Sequence, residues 1–327
     1  MKGEAAQLDL FAAPVRRPAE PALAVALERE RAAASAIAAR LPAGIRFGTS
    51  SWGFPGWAGI VYSRRASPAE LAREGLSEYA RHPLLTTVGI DRSYYAPVPA
   101  ADLRRYASQV PPGFPCCAKA PERVTAAVLR DGRPNPDFLS SAVFVEETVG
   151  PFFEHFAGHN GPFLLQFPPA PRAMRPDPRA FADGLERFLE ALPRAARYAV
   201  ELRDPDLLTS AYAAALARRG AAHVYNYVTA MPMPELQAER VPLETAPFAV
   251  VRLLLRPGTR YDERREEFEP FDRVVDPDPE MRRQVVGLAR RSLALGREVS
   301  VLVNNKAEGS SPATIRALAE ILADAPP

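Results

Sequence analysis

Lysine is the residue this chain has least reason to lack and does: of its 41 basic residues only Lys2, Lys119 and Lys306 are lysines. Where almost every cation is an arginine, a retained lysine points to a compact point charge, or to an amine that can lose its proton on burial. Histidine is also scarce, with His82, His155, His159 and His223, and no HxH or HExxH spacing occurs. Catalytic zinc and iron sites are built from clustered histidines and carboxylates, so no metal and no other cofactor is expected. The two cysteines, Cys116 and Cys117, are neighbours. A bridge between them would close a strained ring, and both read as reduced. No uncharged apolar run approaches the length of a membrane span, and Glu4 and Asp9 interrupt the start of the chain. A cytoplasmic protein without a membrane partner is the expectation. Net charge is lacking too: 41 basic residues against 39 acidic ones leave +2. No global field invites a nucleic acid, so any such contact has to be local.

What the chain does have is 327 residues that are 47% hydrophobic, enough for one barrel of about 250 residues plus an extension. Its 35 prolines are dispersed between periodic segments and read as loop punctuation. Residues 1–44 form a polar tail followed by an Ala-rich helical extension, the helix spanning 21–41. From residue 45 onward, short apolar runs alternate with helical patterns, at 45–51, 86–95, 114–119, 163–167, 198–203, 222–227, 248–254 and 299–305. Helices are predicted between them at 68–81, 99–109, 138–156, 178–191, 206–219 and 279–295, with a closing helix at 312–323. Eight such units predict an α/β fold, a TIM-type (β/α)8 barrel over 45–327, in preference to an open doubly wound sheet.

The run from Tyr198 to Asp204 is an apolar strand that ends in charge. Period-two alternation places Val200 and Leu202 on one face and Ala199, Glu201 and Arg203 on the other. In a barrel the first set packs on helices and the second faces the interior near the mouth. Collected strand by strand, the polar candidates for that mouth are Ser50, Asp91, Lys119, Gln166, Glu201, Arg203, Asn226, Arg252, Asn305 and Lys306, because barrel active sites lie at the C-terminal strand ends. Lys119, Arg203, Arg252 and Lys306 outweigh Asp91 and Glu201, so the pocket is expected to favour an anion, with the arginines suited to bidentate contact. An internal ion-pair network is the bland alternative for the same residues. Glu201 is the first candidate for general acid/base catalysis, with Lys119 and Asp91 beside it. Glu201→Gln and Lys119→Met are expected to leave folding largely intact. Trp52 and Tyr95, among the aromatics crowding the first two strand-to-helix loops, are candidates for stacking on a ligand. The charged stretch 256–280 is long enough for a lid.

Several motifs, taken in order, carry a family resemblance: Gly48-Thr49-Ser50-Ser51-Trp52, Asp91-Arg92-Ser93-Tyr94-Tyr95, Ala118-Lys119-Ala120-Pro121, Leu165-Gln166-Phe167-Pro168-Pro169, Val200-Glu201-Leu202-Arg203, Val251-Arg252-Leu253 with Tyr261, and Asn304-Asn305-Lys306-Ala307-Glu308-Gly309. Together they resemble the bacterial domain of unknown function 72 (YecE-like) family over residues 45 to 322. The resemblance implies a (β/α)8 barrel without an established reaction, similar in architecture to the endonuclease IV and xylose isomerase barrels. The chain departs from the family at Asp91-Arg92, at Asp204-Pro205-Asp206-Leu207 and at Leu253-Leu254-Leu255.

Near the N-terminus, Gln7-Leu8-Asp9-Leu10-Phe11 resembles the short peptide with which bacterial replication and repair proteins dock on the sliding clamp. Gln7 would be the amide anchor, with Leu10 and Phe11 filling a hydrophobic groove. Two functional readings follow. One is a barrel that binds an anionic small molecule or nucleic-acid component and performs metal-independent hydrolysis or lyase chemistry. The other is a non-catalytic DNA-maintenance module tethered to the clamp.

Overall fold

The computed structural model describes residues 20–129, 131–171, 173 and 175–324. Eight parallel strands form the barrel: β1 (Ile45–Thr49), β2 (Thr87–Ile90), β3 (Cys116–Ala118), β4 (Phe163–Phe167), β5 (Tyr198–Leu202), β6 (Ala222–Tyr227), β7 (Phe248–Leu253) and β8 (Glu298–Val303). They run in the order β3-β2-β1-β8-β7-β6-β5-β4. Single bridges from Cys116 to Asn160 and from Lys119 to Leu164 hold the seam between β3 and β4. The predicted (β/α)8 barrel is therefore the observed fold.

In chain order the helices are α1 (Pro21–Ala38), α2 (Pro68–Glu74), α3 (Leu76–Tyr79), α4 (Ala100–Ala107), α5 (Glu122–Thr125), α6 (Ser141–Phe144), α7 (Gly150–His155) and α8 (Pro178–Ala191). Then come α9 (Ser210–Arg219), α10 (Pro234–Arg240), α11 (Tyr261–Phe268), α12 (Pro279–Ala294) and α13 (Ser311–Ala323). Proline opens many of them, where its missing N–H costs nothing. Helix α2 adds a full capping box between Ser67 and Glu70.

Several predicted boundaries move, each for a local reason. The helix expected over 138–156 is split into α6, a π-turn at Val145–Val149 and α7. Pro151 lacks an N–H and crowds the carbonyl four residues back, so regular α geometry cannot run through it. The run 86–95 leaves the sheet after Ile90 and turns into a 3-10 helix at Asp91–Tyr94. The helix expected from 206 starts at Ser210, capped by Thr209. The charged stretch 256–280 contains α11, whose only buried side chain is Phe268, so it shows no apolar periodicity to read.

Period two sorts the strand residues as expected. Inside the barrel, Cys117, Leu164, Ala199, Ala222, Val224, Phe248, Val250 and Leu302 form a compact apolar floor. On the outside, Phe47, Val88, Leu165, Val200, Leu202, Val251, Val301 and Val303 join the large core beneath the helices. Both cysteines are free and buried. Burial pushes both thiols up, Cys117 to about 11 against an opposing Thr87 contact. Helix α1 packs on the barrel through Leu27, Ala34 and Ile37. Its Glu30 pairs with Arg316 of α13 at 2.7 Å. Among the described residues no helix is long and apolar enough to cross a membrane.

Candidate functional site

One residue pair beyond the apolar floor, the inward positions change character. Alternation that puts Val250 and Leu164 inside also puts Arg252, Gln166 and Glu201 inside, one layer nearer the C-terminal mouth. Glu201 and Arg252 are completely buried and pair through Oε2 and Nη1 across the barrel. The other carboxylate oxygen of Glu201 accepts from Arg203 Nε at 2.5 Å. Gln166 Oε1 accepts from Arg203 Nη2 at 3.1 Å and from Arg252 Nη1 at 3.4 Å.

Above this layer, at the ends of β2 and β3, Lys119 Nζ lies 3.3 Å from Asp91 Oδ1. Arg252 Nη2 approaches the same oxygen at 3.6 Å. These outer groups meet solvent to a limited extent: the side chains of Asp91 and Arg203 are 25% and 20% exposed, while that of Lys119 is nearly covered. The structure thus brings Asp91, Lys119, Gln166, Glu201, Arg203 and Arg252 into one connected cluster. Three cations, Lys119, Arg203 and Arg252, face two carboxylates, Asp91 and Glu201.

The electrostatics follow from that composition. Burial alone would raise the Glu201 carboxyl, but Arg203, Arg252 and Lys119 together hold it at about 2. Glu201 is therefore a fixed anion with both oxygens committed to guanidinium groups. Burial lowers the Lys119 amine; Asp91 and Glu201 oppose that shift, while Arg252 and Arg203 reinforce it. Burial also lowers Arg252, and its carboxylate partners more than restore it.

The remaining sequence-predicted residues are distributed differently. Ser50 is buried at the end of β1, and its hydroxyl has no hydrogen-bond partner among the described residues. Trp52 is not brought to the mouth. Its indole N–H donates to Leu71 O at 3.0 Å and its ring stands edge-on to Tyr106, in the packing beneath α2 and α4. Tyr95 is 72% exposed, in edge contact with Tyr94. Asn305 accepts from Ser311 N at 2.8 Å, fixing the start of α13. Lys306 is buried apart from the cluster, its ammonium 4.1 Å from the centre of the Tyr261 ring. Asn226 is tied to Leu202 O and to Gln237. Gln7, Leu10 and Phe11 lie outside the described residues. Among the described residues no group of histidine, cysteine and carboxylate side chains could hold a metal ion.

Two tyrosines quoted in the sequence motifs, Tyr94 among the aromatics of the first two loops and Tyr261 after β7, take on partners that the sequence does not name. Tyr94 places its ring 5.3 Å from Lys119 Nζ, and Tyr261 covers Lys306, so each lysine at the barrel rim carries an aromatic cover. Periodicity gives no hint of this, because both tyrosines sit in turns or on a helix without an apolar stripe. Glu308, from the last motif, is a structural tie. Fully buried, it receives Arg282 through Nε at 2.8 Å and Nη2 at 3.0 Å, and also Asp278 N.

A family model described as Protein of unknown function DUF72 matches residues 46–327. The chain belongs to that family. Among solved structures this DUF72 barrel is similar to a DUF72 family protein of Thermotoga maritima. The two are 22% identical with a TM-score of 0.57, over 85% of this chain and 98% of that one. It is likewise similar to a DUF72 family protein of Enterococcus faecalis, at 18% identity and a TM-score of 0.57, over 86% and 97% of the two chains. Likeness at these identities shows the shared fold. No curated protein matches the chain. The DUF72 motifs now have places: those of β2, β3, β4, β5 and β7 supply the charged cluster, and that of β8 supplies Lys306 and the Glu308 tie.

Proposed function

We propose that the C-terminal mouth of the barrel binds an anionic small molecule and that Lys119 and Asp91 are its reactive pair, in metal-independent hydrolase or lyase chemistry. The observation that carries this reading is the excess of cation over carboxylate in a water-poor cluster. Buried charges in a low dielectric interact far more strongly than surface ones, so one uncompensated positive charge favours an incoming anion. Lys306 at the rim adds a second cation. Within the cluster Glu201 acts as the fixed charge that holds Arg203 and Arg252 in place. Lys119 and Asp91 differ from it because Asp91 keeps some access to the mouth and the pair can pass a proton between amine and carboxylate.

The test is a thermal-shift screen of phosphorylated and carboxylated metabolites, including inorganic phosphate, on wild type and Lys119→Met. Anions should raise the melting temperature of the wild type, and the variant should melt normally but lose most of that rise. Absence of any anion-dependent stabilisation in the wild type would refute the proposal.

The N-terminal Gln7-Leu8-Asp9-Leu10-Phe11 supports a separate proposal, attachment to a sliding clamp, which rests on sequence alone.

A further inference from the structure

Arginine has two ways of meeting a carboxylate, and this protein displays the side-on one repeatedly. Arg282 grips Glu308 with Nε and Nη2, the parallel donors of one guanidinium edge. Arg203 uses the same two nitrogens, on Glu201 and Gln166. Arg252 is different. Its Nη1 is the atom that holds Glu201 and Gln166, while Nε and Nη2 are buried without any hydrogen-bond partner among the described residues. Facing that edge is Asp91 Oδ1, 3.6 Å from Nη2, an ion pair beyond hydrogen-bonding range; the same oxygen is ion-paired with Lys119 Nζ at 3.3 Å and is buried without a geometrically formed hydrogen bond among the described residues. Leaving charged donors dry and without hydrogen bonds is costly, and this residue sits at the centre of a barrel mouth rather than in a structural joint.

Two further orphaned atoms belong to the same half of the barrel. Ser50 Oγ lies at the end of β1 and Asn305 Nδ2 just past the end of β8, both buried and unpartnered. β8 and β1 lie between β7, which carries Arg252, and β2, which leads into Asp91. By alternation from Thr49, whose hydroxyl contacts Tyr79 on the outer side, Ser50 faces inward. Gly89 permits this close packing: a Cβ there would stand 2.6 Å from Ser50 O. The opposite half of the mouth, formed by Gln166, Glu201 and Arg203, is already mutually bonded.

The geometry points to a subsite for a 2-hydroxycarboxylate, the hydroxy-acid end of an organic or sugar acid. The carboxylate takes the Nε and Nη2 edge of Arg252 in bidentate fashion. The adjacent hydroxyl donates to Asp91 Oδ1, and the Ser50 hydroxyl completes the set as donor or acceptor. An acceptor beside a guanidinium fork is what separates a hydroxy acid from a plain carboxylate, which brings no donor for Asp91. This assignment rests on the anion-binding reading above and narrows it to one class of ligand.

The test is titration calorimetry of the full chain with glycolate, gluconate, acetate and inorganic phosphate. Glycolate should bind about tenfold more tightly than acetate, the contribution of one hydrogen bond to a charged acceptor. In Asp91→Ala that ratio should fall to near one. Arg252→Lys, which keeps the charge beside Glu201 but removes the fork, should weaken both acids. If Arg252→Lys does not fold, Ser50→Ala serves in its place and should weaken glycolate by roughly threefold or more. Equal binding of acetate and glycolate overturns the subsite. So does binding of phosphate without either acid, an outcome that leaves the anion-binding mouth intact. A wild type that binds none of the four overturns both proposals. A crystal structure grown with saturating glycolate that shows only water on the Arg252 edge also overturns the subsite.

Discussion

At the scale of single residues, the decisive feature is how completely Glu201 is committed. Both of its oxygens are held by arginines and its carboxyl is kept at about 2. Removing one member of a buried ionic cluster leaves its partners dry and uncompensated, which typically costs about 3–5 kcal/mol. Glu201→Gln should therefore lower unfolding stability by that order in urea denaturation, contrary to the mild effect expected from sequence. Lys119→Met should cost much less, because Asp91 keeps partial solvent contact. Near-wild-type stability of Glu201→Gln would show that the cluster is not held by this carboxylate.

Acid sensitivity is a second residue-scale consequence. His82 and His223 are buried, and burial lowers each to about 4, with Arg31 and Arg316 adding to the effect at His82 and Gln237 and Glu201 opposing it at His223. The unfolded chain takes up these protons near pH 6.5 and the folded one does not. Their contribution is present above pH 6.5 and is lost as pH falls toward 4, on the order of 3 kcal/mol for each histidine. Glu201 is likewise depressed, so its contribution is present above about pH 4.5 and is lost as pH falls toward 2. The urea midpoint should drop on acidification from pH 7 to 4, and His82→Gln with His223→Gln should flatten that limb. A midpoint that does not change over this range in the wild type would contradict the assignment.

At the scale of elements, the connection between β7 and α12 is the one that covers the rim. Helix α11 lays Tyr261 over Lys306, and the segment behind it is pinned by ion pairs. Arg256 and Arg264 both reach Asp276, at 2.6 and 2.8 Å, while Glu308 ties Val275, Asp278 and Arg282 to β8. In this structure the connection is tied down. Glu308→Gln should release it, costing about 3 kcal/mol through the half-paired Arg282. Limited proteolysis should then cut residues 256–277 faster than in the wild type. Unchanged cleavage would show that the Asp276 pairs suffice.

At the scale of the molecule, α1 belongs to the barrel's packing. Its Leu27, Ala34 and Ile37 are buried and Glu30 reaches α13. Deleting residues 1–44 should cost about 4 kcal/mol in urea denaturation from the lost apolar burial of α1. In pull-downs with purified sliding clamp, the full chain should bind and Gln7→Ala/Phe11→Ala should not; failure of the wild type to bind would end that proposal.

The alternation of strands and helices, the count of eight and the strand residues that point into the barrel are all legible in the amino-acid order. These properties are local: period two and proline placement operate over a few residues. The same alternation named Asp91, Lys119, Gln166, Glu201, Arg203 and Arg252 as inward residues at strand ends, where the structure finds them. Which of these side chains meet is set by the closed barrel. Arg252 and Glu201 are far apart in sequence, and nothing local shows that Arg252 spends Nη1 on Glu201 while its other edge makes no hydrogen bond among the described residues. Nor does local pattern reveal that Trp52 turns into the helical packing, that Lys306 lies beneath Tyr261, or that Glu308 is a tie. Ion pairs of this kind are set by the closure of the barrel, which brings distant strand ends within a few ångströms of one another and removes the water between them.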